Sequence, residues 1–182
     1  MSSIMLLSGS PSPTSRTAAV LDRLGAHFRS QDHEVHQVGV RDLPPEALLA
    51  AQAQHPRIAE ATDLLAESDG LVIATPVYKA AYSGLLKAFL DLLPQYALAG
   101  KTILPLATGG STAHVLAIDY ALRPVLTSMG AAHVLPGYFL LDQAITRTEH
   151  GADLDPDTET PLMSVVAAFT DALRDRDRVG VR

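Results

Sequence analysis

Residues 70–84 read GLVIATPVYKAAYSG. Leu71 to Ala74 has the apolar density of a strand buried on both faces. Thr75-Pro76-Val77-Tyr78 follows, and Pro76, with φ fixed and no amide hydrogen, is expected to end that strand. Tyr78 puts a flat, amphipathic ring at the strand's carboxyl end, ahead of Lys79, Tyr82 and Ser83, and Gly84 opens a helical pattern. An open α/β sheet holds its ligand at such a place, outside the carboxyl ends of its strands. The ligand expected here is flat.

On either side of this stretch, strand and helix patterns alternate. Ser3 to Ser8 reads as a buried strand, and Ser15 to Arg29 as a helix with Ala18, Leu21, Leu24 and Phe28 on one face. Glu34 to Val38 is a short strand, followed by a Pro-rich connection and a loose helix from Glu46. Pro56 to Ser68 is a helix, as is Ser83 to Leu93, stopped by Pro94. Lys101 to Ala107 is the fourth strand and Ala113 to Met129 a long helix. Ala131 to Leu135, extending toward Leu140, is the fifth strand. Arg147 to Pro161 reads as a polar loop, and the last helix spans about residues 160–175. Five strands with helical crossovers predict a mostly parallel sheet covered on both faces. One domain over residues 1–182 is expected.

Composition narrows the partners. A net charge of −6 argues against nucleic acid, whose phosphates demand a basic surface. With no cysteine, the chain has no disulfide, thiolate metal site or Cys nucleophile. The seven histidines show no ligand spacing; His33 and His36 are expected to face solvent. No signal peptide is visible, and no apolar stretch approaches the roughly 20 residues that span a bilayer. A cytoplasmic protein without a membrane partner is the expectation.

In such a sheet the loops at the strands' carboxyl ends share one edge, and three stand out. The first is Gly9 to Thr17, where hydroxyls cluster at a helix start and Arg16 adds a fixed positive charge. It has neither the Gly-Lys-Ser/Thr ending of a P-loop nor the Gly-x-Gly-x-x-Gly of a dinucleotide fold. The second is Pro76 to Lys79. The third, Thr108-Gly109-Gly110-Ser111-Thr112, lets backbone amides come close to a ligand. Taken singly, each is equally a capped helix or a simple turn. Together they describe a phosphate cradle, an aromatic slot and a donor edge, the three features flavin mononucleotide (FMN) requires.

Three motifs carry a resemblance: SGSPxxxSR at residues 8–16, ATPVYKAAYSGLLK at 74–87 and PLATGGxxAHxLAxDYALRPVL at 105–126. In order and interval they resemble the NAD(P)H-dependent FMN reductases, in particular the reductases of two-component alkanesulfonate monooxygenase systems. The resemblance covers about Met1 to Asp142 and implies a flavodoxin-like three-layer α/β sandwich with strand order 2-1-3-4-5. It implies that Ser10, Ser15, Arg16 and Thr17 hold the FMN phosphate. Pro76, Val77, Tyr78 and Lys79 would line the isoalloxazine ring, and Thr108, Gly109, Gly110 and Ser111 its pyrimidine side. Ser12 departs from the pattern, standing where relatives often carry arginine, so the loop has one charge fewer.

Pro124 lies inside the predicted helix over 113–129, where it cannot bond the Tyr120 carbonyl and its ring crowds that group. A π-bulge around Asp119-Tyr120 is one way to absorb it. By resemblance, the reductases of this type carry a tyrosine in a π-helix at a subunit interface, and form dimers or tetramers.

Hydride transfer from NADPH or NADH to FMN requires no side-chain acid or base, so no catalytic residue is assigned, and no metal. Lys79 and Tyr82 are candidates for positioning the second substrate, and His114 lies beside the third loop. By resemblance, reduced FMN would pass to a partner FMNH2-dependent monooxygenase. The alternatives are a flavoprotein with tightly bound FMN reducing quinones, azo compounds or metal ions, and a non-enzymatic FMN electron carrier. A hydrolase built on Ser111, Asp142 and His150 is the remote rival, lacking the second glycine of a nucleophile elbow. The Arg174 to Arg178 run reads as a solvated helix end.

Overall fold

The computed structural model describes residues 1–179, with side chains as far as Arg176. Strands β1 (Ser3–Ser8), β2 (Glu34–Gly39), β3 (Gly70–Tyr78) and β5 (Thr102–Gly109) are parallel neighbours in the order β2-β1-β3-β5. The fifth position of the sheet is filled twice, by β6 (His133–Val134) and then β7 (Tyr138–Leu141), both parallel to β5. A short β4 (Ala81–Tyr82) folds back antiparallel on β3. The sheet therefore has seven strands rather than the five read from the sequence, while the order 2-1-3-4-5 holds by position.

Period-2 alternation divides the core. Met5, Leu7, Leu71 and Ile73 pack on one face under α2 (Pro45–Leu49), α3 (Pro56–Glu67), α4 (Gly84–Leu90) and α5 (Arg123–Ser128). Ile4, Leu6, Val72 and Ala74 pack on the other under α1 (Arg16–Ser30) and α6 (Pro156–Val179). All but the last residue of β3, and all of β5, are buried, which is why both read as unbroken apolar runs.

Several expectations are corrected. Pro76 does not end β3. The Ala74 carbonyl accepts from the Gly9 amide on the β1 side, and Pro76, two residues on, faces the same side beyond the end of β1. Its missing amide is not needed there, and β3 continues to Tyr78. The single fifth strand is broken because Pro136-Gly137 interrupts it; a Cβ at Gly137 would lie 2.6 Å from the Pro105 carbonyl oxygen. Helix α4 ends at Leu90, before Pro94.

The segment read as a loop over Arg147 to Pro161 holds an antiparallel hairpin, β8 (Ile145–Thr148) with β9 (Gly151–Leu154), and the first turns of α6. Ile145 and Ala152 bury their side chains in the α1 and α6 core, so the hairpin has an apolar anchor despite its polar sequence. Helix α6 starts earlier and ends later than 160–175, with Leu162, Val166, Phe169 and Leu173 fully buried. Its end is not simply solvated. Arg176 donates to the Asp69 carbonyl and pairs with the Asp69 carboxylate. The side chains of Asp177 and Arg178 lie outside the described residues. His33, too, is not solvent-facing: both ring nitrogens are buried without a partner among the described residues, and its ring packs edge-on against Phe28.

The long helix over 113–129 is three pieces. A 3-10 turn spans Thr112–His114, a π-helix Ile118–Leu122, and α5 follows. The Arg123 amide reaches back five residues to the Ile118 carbonyl. That wide turn places Pro124 in the first turn of α5, where its missing amide breaks no bond. Arg123 locks the junction, with Nε on the Asp119 carboxylate at 2.9 Å and its two terminal nitrogens on the carbonyls of Val134 and Leu135. No helix among the described residues is long and apolar enough to cross a membrane.

Candidate functional site

The three loops meet. A cleft of about 330 Å3 at the carboxyl edge of the sheet is lined by Ser10, Ser15, Arg16 and Thr17, by Pro76, Val77 and Tyr78, and by Thr108, Gly109 and Gly110. Ten of the twelve residues singled out in the sequence thus share one wall system. Lys79 and Ser111 do not line it. Lys79 sits at the tip of the β3–β4 hairpin with φ 51°, followed by Ala80 at φ 64°, the paired left-handed geometry of a two-residue hairpin turn. Ser111 caps the 3-10 turn, accepting from the Ala113 amide. Tyr82 packs half-buried against the core, and His114 stays outside the cleft.

Hydrogen bonding fixes the first loop. Ser15 caps α1, its Oγ accepting from the Ala18 amide at 3.0 Å. Ser10 Oγ accepts from the Ser12 amide, and Ser12 Oγ from the Thr14 amide. Each acceptance occupies a lone pair and leaves the O–H of Ser10 and Ser15 to donate. Ser12 Oγ also lies 3.4 Å from Thr14 Oγ1, where either hydroxyl can donate. Helix α1, at 15 residues, adds its free amides and positive dipole end. Arg16 lies at the rim, its Nε donating to the Ile145 carbonyl at 3.4 Å, so the hairpin that sequence reading missed also braces the cationic side chain.

The loops are tied together beneath the cleft. Thr17 and Thr108 share a buried hydrogen bond of 2.7 Å, joining the first loop to the third. Ser83, the N-cap of α4, bonds the Gly9 carbonyl through Oγ, while its amide donates to Thr75 Oγ1. Gly9 has no room for a side chain, since a Cβ would lie 2.7 Å from Leu86 Cβ. We expect Thr17→Val to cost about 1–3 kcal/mol in urea unfolding, because it strands the buried Thr108 hydroxyl. The double variant Thr17→Val/Thr108→Val should cost less than the sum of the two singles, a coupling that unfolding of the four proteins reads directly.

The third loop differs at its two glycines. A Cβ on Gly109 would meet Phe139 Cζ at 2.9 Å, inside the protein. A Cβ on Gly110 would meet only Asp142 Oδ2, at 3.9 Å, and otherwise project into open space. The π-helix lies beneath, with Ile118 and Ala117 packed against Val77 and Ala107. Its outer face carries Tyr120, which is 78% exposed, and the exposed Leu116 lies in the turn just before it.

Ser12 and Thr14 of the first loop also line the cleft, as does Asp142, which lies outside the three loops read from the sequence. Asp142 follows β7 directly, so its position at a carboxyl strand end was the available signal. It is the one acid of the lining, and neither Ser111 nor His150 lines the cleft with it. A larger cavity of about 670 Å3 opens at the opposite edge, near the amino ends of β5 and β6. Its buried Lys101 is committed to the carbonyls of Ala66 and Ser68, and burial lowers its pKa. It has no clustered hydroxyls and no helix start. No group of acids and histidines suited to a metal ion occurs among the described residues.

The donor set fits a flavin mononucleotide: an anion cradle of free hydroxyls and helix amides, a Pro-Val-Tyr wall, and glycine backbone left bare beside open space. Comparison with known proteins agrees. The family model described as NADPH-dependent FMN reductase matches residues 2–146. The chain is 43% identical to an FMN reductase (NADPH) of Escherichia coli over 96% of its own length and 91% of the relative's. An FMN reductase (NADPH) of Pseudomonas putida is also 43% identical, with 96% and 90% covered. The apo crystal structure of the NADH:FMN oxidoreductase EmoB superposes with a TM-score of 0.83 at 45% identity, covering 93% of this chain and 88% of that one. Flavodoxin 1 of Bacillus cereus, 17% identical with a TM-score of 0.63 over 93% and 97%, shares the fold. The chain belongs to the NADPH-dependent FMN reductase family.

Proposed function

We propose that this protein reduces FMN with NADPH or NADH and releases the reduced flavin to a partner monooxygenase in sulfonate-sulfur assimilation. The observation that carries the flavin reading is the single cleft uniting the three loops. Ser10, Ser15, Arg16 and Thr17 would hold the phosphate, with Ser12 and Thr14 adding hydroxyls in place of the charge the loop lacks. Pro76, Val77 and Tyr78 would line the ring, and Tyr78, half exposed, leaves one side open to a second substrate. Bound FMN supplies the hydride acceptor. Thr108, Gly109 and Gly110 would meet its pyrimidine side, where backbone amides balance growing negative charge. Asp142 offers an acceptor beside Gly110. Lys79 and Ser111 flank the cleft and would act at its rim. No side chain is assigned a proton-transfer role.

Release to a partner is supported by the half-exposed Tyr78 on the cleft, and NADH as donor by a relative at 33% identity over 75% of this chain, named NADH-dependent FMN reductase SfnF, from Pseudomonas fluorescens. A homodimer or homotetramer through the π-helix is supported by the exposed Leu116 and Tyr120 beside the site. Sedimentation as a monomer would contradict it. The test of function is NADPH oxidation in air by protein stripped of flavin, titrated with free FMN and repeated with NADH. Turnover saturating in FMN is expected and, with air excluded, reduced FMN should be recovered beyond a dialysis barrier. Tight FMN binding without turnover of free FMN would replace release with a bound-flavin enzyme or carrier.

A further inference from the structure

Arg16, the cation of the phosphate cradle, has a single tether. Its Nε donates to the Ile145 carbonyl, and its terminal nitrogens have no partner among the described residues. The side chain is exposed, so without that bond it would sample many rotamers and lose them on gripping a phosphate. Ile145 opens the β8–β9 hairpin, and a lone pair of short strands is marginal in water. Whatever fixes the hairpin therefore fixes the cation. We propose that Arg23 is a positioning residue for phosphate recognition: through the hairpin and the Ile145 carbonyl it holds Arg16 in place, and so sets the preference for FMN over riboflavin.

The inference rests on the FMN reading above, which puts Arg16 on the phosphate. Arg23 does not line the cleft. Arg16 and Arg23 stand about two turns apart on one face of α1, Arg16 meeting the start of β8 and Arg23 the backbone of β9. One terminal nitrogen of Arg23 donates to the Ala152 carbonyl at 3.2 Å, and the other is paired with Glu159 in the first turn of α6. A single half-buried guanidinium thus ties α1, β9 and α6 together, with the fork geometry that lysine lacks. Next to it the backbones touch. A Cβ on Gly151, which has φ 121°, would stand 2.9 Å from the Arg23 amide nitrogen and 3.0 Å from the Ala19 carbonyl oxygen. The hairpin can sit this close to α1 only because position 151 is glycine. With the hairpin seated, the Ile145 carbonyl is a fixed acceptor, and Arg16 meets its ligand with much of its ordering already done.

The test measures Kd for FMN and for riboflavin, which lacks the phosphate, by quenching of flavin fluorescence on flavin-free protein. The proteins are the wild type, Arg23→Met, Arg23→Lys, Gly151→Ala, Arg16→Ala and Arg16→Ala/Arg23→Met. In Arg23→Met the Kd for FMN should rise about tenfold while that for riboflavin stays within about twofold, as loosening a charge-assisted contact to the phosphate alone requires. Arg23→Lys should restore part of the FMN affinity. Gly151→Ala displaces the hairpin without touching the Arg23 side chain and should reproduce the shift; should Arg23→Met not fold, it carries the comparison. On the Arg16→Ala background, Arg23→Met should add less than about twofold, because no guanidinium is left to position. Unchanged riboflavin binding reports that a variant is folded. Equal weakening of both flavins would make Arg23 a structural brace and overturn the proposal. So would a full effect of Arg23→Met in the absence of Arg16. A wild type that binds neither flavin would instead overturn the FMN reading itself.

Discussion

Gly110→Val should raise KM for FMN at least about a hundredfold while leaving the fold intact. Gly110 is exposed, its φ is not in the left-handed region, and the only atom a Cβ would approach is Asp142 Oδ2 at 3.9 Å. Valine therefore meets no protein wall, and unfolding in urea should shift by no more than about 0.5 kcal/mol. The same methyl groups would occupy the space into which the glycine backbone opens, where the flavin's pyrimidine side is assigned. Loss of a ring contact together with two or more backbone hydrogen bonds is worth about 3 kcal/mol or more, a hundredfold in affinity. Flavin fluorescence quenching reads the binding and thermal unfolding reads the fold. Gly109→Val is the control with the opposite signature, because its Cβ would collide with Phe139 and cost stability first.

Phe169→Ala should lower stability by about 3–5 kcal/mol, the usual cost of emptying a fully buried phenylalanine site. The ring lies 5.8 Å from that of Phe28 and seals the start of β3, where a Cβ on Gly70 would come within 2.7 Å of Phe169 Cζ. Alanine there would open a void between α6, α1 and the sheet. At about 2–4 °C per kcal/mol for a domain of this size, the melting temperature should fall by about 6–20 °C. We propose that residues 1–182 form one folding unit, so the variant should still unfold in one transition, and FMN kinetics at low temperature should be unchanged. A separate early transition would make α6 an independent appendage. The point matters because the family model stops at residue 146, short of this helix.

Much of the site was legible because it rests on rules of local chemistry. Hydroxyls after a buried strand, glycines after another and an aromatic after a third must share an edge once the strands are parallel. Pro124 foretold the π-helix, since an amide-free residue cannot sit mid-helix without a change of register. What failed depended on partners distant in sequence. Pro76 stays in its strand because β1 stops at Ser8, a fact about another segment. The hairpin at 145–154 is polar in sequence and anchored by Ile145 and Ala152 against α1, more than a hundred residues earlier. Lys79, which the resemblance puts along the ring, stands at the hairpin tip outside the cleft lining, because the two-residue turn carries it away.

The most direct measurement is a crystal structure of the protein grown with FMN. The phosphate should lie among Ser10, Ser15, Arg16 and Thr17, with the ring between Tyr78 and the Gly109-Gly110 backbone. FMN lodged instead in the cavity beside Lys101 and His133, at the opposite edge of the sheet, would contradict the account.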